Sequence, residues 1–291
     1  MSDEHYEHEQ HYEGGSSPTW IVRMALGVGG IVLLAFAFSA WQMHLALGGM
    51  AGRFAVSAIT QVSSWRIAMG VLGAVDLLLA VAFFLLLPRS TVFTRRSGLS
   101  LADHLKNWAG HAYDVSLWPL FLNAALVMGA FVSVYNYAAF RLQLPPYSLS
   151  QGEIGSIFLA YIFGTVAATL GGALSQRAGL KRALLLALGV ALLGVAITLA
   201  VPLAVVILGI VVVTIGFFTI QSVASGGVGR MALKDKGHAT SLYLVSYYIG
   251  ASLLGSAGGW FWRVAGWVGV AGYTSTLLII AAGLVASGKY R

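Results

Sequence analysis

GHATSLYLVSYYIGASLLGSAGGWFWRVAGWVGV, residues 237–270, is the stretch whose reading decides the fold. It leaves a cationic loop and runs through about one membrane thickness of apolar and small residues. It ends at Trp260, Trp262 and Trp267, a cluster suited to anchoring at a membrane–water interface. Such a run is a transmembrane helix. Tyr243, Ser246, Tyr247 and Gly250 recur at i, i+3, i+4 and i+7, so they share one face of hydroxyls and bare backbone. A helix facing only lipid has no use for that face, and a polar cavity inside a helical bundle accounts for it. Gly255 and Gly259 form a G-x-x-x-G on which a second helix can pack closely.

Outward from this stretch, composition sets the class. Of 291 residues 58% are hydrophobic and 9% charged, and the mean hydropathy is +0.82. A soluble domain carries about 25% charged residues. The chain therefore reads as an all-α, polytopic membrane helical bundle. Its lack of cysteine excludes disulfides, thiol catalysis and cysteine metal sites. The formal net charge of +7 is read as loop charge biased to one side of a bilayer, with no nucleic-acid partner expected. No G-x-S-x-G, H-E-x-x-H or P-loop occurs, so no enzyme and no cofactor are expected.

Residues 1–19, MSDEHYEHEQHYEGGSSPT, hold half the acids of the chain and read as a disordered, solvated tail. His5, His8 and His11 lack flanking residues that would fix a metal geometry, so no metal site is assigned there. From Met24 to Ser63 the chain is apolar, roughly 60 Å as helix, which is one extended span or two short ones. Ile67–Leu87 is a clean span closed by Pro88, and 89–117 is a long polar loop. Six further spans follow near 118–140, 152–175, 183–201, 203–226, 239–262 and 265–287, giving about eight, or nine if 24–63 divides.

Basic residues sort by side. Arg89, Arg95, Arg96 and Lys106, then Arg177, Lys181 and Arg182, then Arg230, Lys234 and Lys236, then Lys289 and Arg291 fall on one face, twelve against Arg66, Arg141 and Arg263 on the other. The positive-inside rule makes the long loop and the C-terminus cytoplasmic. Among the last six spans the first, fourth and fifth are the polar ones and the third and sixth the apolar ones, an order that fits two three-helix units.

The residues now carry a resemblance. SVAS at 222–225, with KGHATSLYLVSYYIGASLLGSAGGWFWRVAGW from Lys236 to Trp267, is similar to the C-terminal half of major facilitator superfamily transporters, bacterial inner-membrane drug and sugar efflux permeases in particular. GALSQRAGLKR, Gly172 to Arg182, resembles the cytoplasmic signature G-x-x-x-D-R-x-G-R-R/K of that superfamily. Gly172, Arg177, Gly179 and Lys181 match and Arg182 follows, while Gln176 stands in place of the acid and Leu180 of a basic residue. GGMAGRFAVSAITQVSSWRIA, Gly48 to Ala68, resembles the fifth helix of the same permeases. The resemblance thus covers helices five to twelve and implies that the first four are missing. It divides the chain into the tail 1–19, a remnant of the N-terminal transporter half at 20–88, a cytoplasmic central loop at 89–117 and a complete six-helix half at 118–291.

The resemblance implies a multi-pass protein of the bacterial inner membrane. It would export a small molecule such as a drug, sugar or metabolite in exchange for protons, by alternating access between two halves. Asn136, Gln221, Tyr243, Ser246 and Tyr247 are the candidates for the substrate cavity, although tyrosines at such spacing are more often packing and interhelix hydrogen bonds. Arg53, Asp76 and His44 are the ionisable groups at membrane depth. Arg53 and Asp76, at matching depth on antiparallel neighbours, form a charge pair or a coupling site. The alternative is a truncated, non-transporting membrane protein, working with a missing half or a second copy. His104 and His111 are read as solvated.

Overall fold

The structure, a computed structural model, describes residues 48–49, 51–86, 100–232 and 234–288, all within one unit, Met43–Arg291. The acidic tail, His44, most of 24–63 before residue 48, and Arg89, Arg95, Arg96, Lys289 and Arg291 lie outside the described residues. The order is α1 (51–62), α2 (Trp65–Leu86), α3 (Leu101–Ala112), α4 (Trp118–Gln143), α5 (Gln151–Ser156), a 3-10 turn (Ile157–Ala160), α6 (Tyr161–Ala178), α7 (Leu180–Ile197), α8 (Leu203–Met231), α9 (Lys236–Ile249), a π turn (Gly250–Leu254) and α10 (Gly255–Ser287). No strand occurs among the described residues.

Six helical runs among the described residues are long and apolar enough to cross a membrane. The last, Lys236–Ser287, has 52 residues, about twice what a bilayer needs. It folds back at Ala265 and Gly266, where Gly266 takes φ 57°, a left-handed conformation that suits a residue without Cβ. The consequence is visible in the rings of Phe261 and Tyr273, stacked at 4.3 Å. Twelve residues of straight helix would hold them about 18 Å apart. That one run therefore makes two crossings, and the chain is a polytopic all-α bundle.

α4 is its axis. Thirteen of its positions are buried, against α8 on one side and against α9, the π turn and α10 on the other. In a membrane, close helix approach comes from small residues more than from the hydrophobic effect. A Cβ on Gly250 would lie 2.1 Å from the backbone oxygen of Ala125, so α4 and the π turn touch backbone to backbone. The G-x-x-x-G pair also meets α4: Val132 sits on Gly255, and the Tyr137 ring on Gly259. The π turn leaves carbonyls without their usual helical partners. Tyr273 donates to Leu254 O at 2.9 Å, and the Ser133 hydroxyl lies 3.3 Å from Gly255 O.

α7 buries one stripe, Ala183, Leu184, Ala187, Leu188, Ala191 and Val195, and leaves Leu186 and Leu193 exposed, as an apolar helix at the rim of a bundle should. α2 differs from every other span: Ala68 is its one buried residue among those described. In the second turn of α4 Asn123 is fully buried, and neither of its side-chain amide atoms has a hydrogen-bond partner among the described residues.

Candidate functional site

A continuous set of aromatic rings runs through the upper half of the bundle. α1 and α5 are antiparallel neighbours, with Gln61 against Gly152 and Ser57 against Gly155, and this brings Arg53 opposite the 3-10 turn. Arg53 Nη1 donates to the Tyr161 hydroxyl at 2.8 Å. Its guanidinium lies 5.3 Å from the Phe158 ring centre and 5.9 Å from that of Tyr161, within cation–π range.

Behind this pair stands Tyr135 of α4, edge-on to Tyr161 at 5.4 Å and hydrogen-bonded to Thr214 at 2.7 Å. Phe131 stacks on Phe217 at 3.7 Å. Phe218 reaches Tyr161 at 5.3 Å because Gly164 has no side chain: a Cβ there would sit 2.5 Å from the Phe218 ring. Phe217 in turn meets Tyr247 of α9 at 6.5 Å. Four helices, α4, α6, α8 and α9, and the 3-10 turn thus contribute rings and hydroxyls to the cluster that adjoins one guanidinium.

Of the cavity candidates, Tyr243 and Gln221 come together, the tyrosine hydroxyl donating to Gln221 Oε1 at 2.7 Å. Tyr243 is fully buried, so that contact holds α8 to α9. Tyr247 belongs to the ring set, and Ser246 is half-buried beside it. Asn136 is exposed on α4, next to the buried Tyr135, which is the residue that enters the cluster.

The charge pair needs correcting. Arg53 uses Tyr161 and the two rings, no ion pair joins it to Asp76, and Asp76 is exposed on α2. The reason is geometric: α1 docks on α5 and the 3-10 turn through glycine notches, and the side chain follows that surface. His104 is not merely solvated either. α3 lies against α9 with His104 Nδ1 3.0 Å from His238 Nε2, while Trp108 Nε1 donates to Ser241 Oγ at 3.0 Å. Trp267, read as an interfacial anchor, is buried at 8% exposure and donates to Thr198.

At the signature segment, Gly179 takes φ 82° in the turn from α6 to α7. Lys181 Nζ donates to Ala286 O at the end of α10, satisfying a helix C-terminus. Arg230 donates to the buried Ser175 Oγ at 2.9 Å and so ties α8 to α6. Gly172 has open space around it, and Arg182 is exposed beside Lys181. Arg177 stands in the last turn of α6.

Sequence periodicity had a signal for the missed residues. Phe131 and Tyr135 are spaced i, i+4, and Phe158 and Tyr161 i, i+3, so each pair shares a helix face. α3 was marked by Ser100-x-x-Asp103, a capping box in which the Ser100 hydroxyl accepts from Asp103 N and the Asp103 carboxylate accepts from Ser100 N. Hydrogen bonds from the backbone and then the hydroxyl of Ser100 hold the Asp103 carboxyl below the usual carboxylate range. Among the described residues no three His, Asp or Glu gather as metal ligands.

Comparison with known proteins gives this architecture its family. Residues 32–232 match the Major Facilitator Superfamily. The chain is 38% identical over 236 residues to the uncharacterized MFS-type transporter YybF of Bacillus subtilis, covering 81% of this chain and 58% of that one. It is 37% identical over 248 residues to the inner membrane transport protein YnfM of Escherichia coli, covering 85% and 59%. It spans about three-fifths of the length of these relatives. Among solved structures, an outward-facing bacterial homologue of the iron transporter ferroportin shares the fold, with TM-score 0.60, 18% identity and coverage of 89% of this chain and 64% of that one. Helices packed on a central α4 and the match over more than half the chain agree: this multi-pass membrane protein belongs to the major facilitator superfamily.

Proposed function

We propose that the chain is a secondary transporter that moves a small solute outward across the inner membrane by alternating access, coupled to protons. One observation carries the reading: a cation, several tyrosine hydroxyls and a run of rings converge at membrane depth from helices that belong to different parts of the chain. Transport needs a binding site at the junction of elements that can move against one another, and α1 meets the rest of the bundle through small-residue notches that can separate. The twelve-to-three distribution of basic residues supports a cytoplasmic C-terminus.

Asp76 is the candidate coupling carboxylate. The other acid in the described spans, Glu153, is engaged in a capping box with Ser150 at a helix start. A second reading is supported by α2, which buries only Ala68: the bundle works beside another polypeptide or a second copy that covers this helix.

The test is efflux of anionic, neutral and cationic fluorescent solutes from cells expressing the chain, with and without a protonophore. At least one solute should leave against its gradient, and both protonophore and Asp76→Asn should stop it. A correctly inserted chain that extrudes none of them favours the second reading.

A further inference from the structure

Resting on that reading of the site, we propose that Arg53 and the rings around it recognise an organic anion: a carboxylate carried on a flat, apolar body. Three observations lead there. The first is depth. Arg53 lies ten residues before Ser63, and Tyr161 ten residues after Gln151, so both stand about 15 Å inside the same end of the bundle. A guanidinium at that depth is costly unless something uses its charge.

The second is its partners. Guanidinium carries five N–H donors and cannot be deprotonated in a protein. The Tyr161 hydroxyl accepts from Nη1, and no carboxylate among the described residues forms an ion pair with Arg53. The side chain is exposed, not sealed in the bundle. Arg141 shows how this chain treats a purely structural arginine: it is surrounded by carbonyls and a hydroxyl and packed between two rings. Arg53 has the rings but, among the described residues, a single hydroxyl acceptor, and a bidentate carboxylate is the acceptor that fits the rest of its fork.

The third is the wall. Phe158, Tyr161, Tyr135 and Phe218 give a ring surface adjoining the charge, suited to an aromatic or otherwise flat body. No acid stands in this cluster among the described residues, so a cationic solute would meet an uncompensated positive charge there. A neutral sugar would leave that charge unused.

The experiment measures binding directly to the purified chain in detergent, separately from transport, with three probes of one shape: 1-naphthoate, 1-naphthamide and 1-naphthylmethylammonium. 1-Naphthoate should bind saturably and tightest. Arg53→Gln should weaken it by about tenfold or more while leaving 1-naphthamide unchanged, and Arg53→Lys should retain an intermediate affinity. Tyr161→Phe, which leaves the guanidinium in place but removes the hydroxyl that positions it beside the rings, should weaken 1-naphthoate by about threefold. Thermal unfolding of each variant verifies that it is folded, and Tyr161→Phe keeps the test open if Arg53→Gln is not. Absence of saturable 1-naphthoate binding, equal binding of the three probes, or 1-naphthoate affinity unchanged in Arg53→Gln overturns the proposal. Binding without flux in proteoliposomes would sink the transport reading alone. Flux of a cationic solute in a chain that does not bind 1-naphthoate would sink this one alone.

Discussion

Arg141 and Arg53 each stand against aromatic rings that other segments of the bundle supply, and the chain treats them differently. Arg141, in the last turn of α4, donates to Thr198 O, to Ala200 O at 2.7 Å and to the Tyr147 hydroxyl at 3.1 Å, with the Trp267 and Tyr147 rings at 5.3 and 5.5 Å. It closes the C-terminal end of α7, where carbonyls lack helical partners, and binds α4, α7 and α10 into one corner. Among the described residues Arg53 makes one hydrogen bond, to Tyr161, beside a contact in which Gln61 and Ser57 of α1 meet Gly152 and Gly155 of α5. Arg141, with three acceptors around it, holds structure; Arg53, with one among the described residues, is the arginine on which the anion proposal rests. That difference is in the acceptors, since both have rings.

The comparison can be broken most easily at its structural side. Arg141→Ala should have the largest effect, a loss of about 3 kcal/mol in reversible unfolding in detergent, because two part-buried carbonyls and a tyrosine hydroxyl lose a charged donor. Trp267→Phe keeps a ring beside Arg141 but removes the N–H that reaches Thr198 O at 3.1 Å. It should cost about 1 kcal/mol in the same assay, which separates the indole hydrogen bond from the cation–π contact. Arg53→Gln should change stability by less than about 0.5 kcal/mol. A loss as great as that of Arg141→Ala would erase the distinction.

The smallest effect is at α3, outside the membrane. The Asp103 carboxyl titrates below its unfolded value of about 4, so its contribution to the capping box is complete above that value. It is lost as pH falls through the lower, folded value. Hydrogen exchange of the α3 amides, corrected for intrinsic rate, should therefore speed up only on strong acidification, and Asp103→Asn should flatten that dependence.

How much of this was legible depended on whether the signal was local. The membrane class followed from hydropathy, and the packing role of Gly255 and Gly259 from spacing alone, since α4 does occupy that notch. Tyr243 and Gln221, proposed from helix-face patterns, do meet, because each lies on the inner face of its own helix. The partner of Arg53 was not legible. Depth counting matched Arg53 with Asp76, and only the docking of α1 onto Gly152 and Gly155 sets it against Tyr161 instead. Asn136 and Tyr135 are adjacent in sequence, so a polar-helix count could not say which faces inward; the buried one is Tyr135. Trp267 carried the composition of an interfacial anchor, and its true contact, Thr198, is 69 residues away.

The π turn at Gly250–Leu254 changes what a helical wheel means for the stretch 237–270. Each residue of an α-helix advances the azimuth by about 100°. A π turn takes up one extra residue, so it puts a phase slip of that order between the two halves of the span. The hydroxyl face of Tyr243, Ser246 and Tyr247 is written in one register and the α4-packing face of Gly255 and Gly259 in another. Deleting one residue from the turn, Ser252 for instance, would keep the composition and restore an ideal helix, yet rotate one of those faces out of its setting.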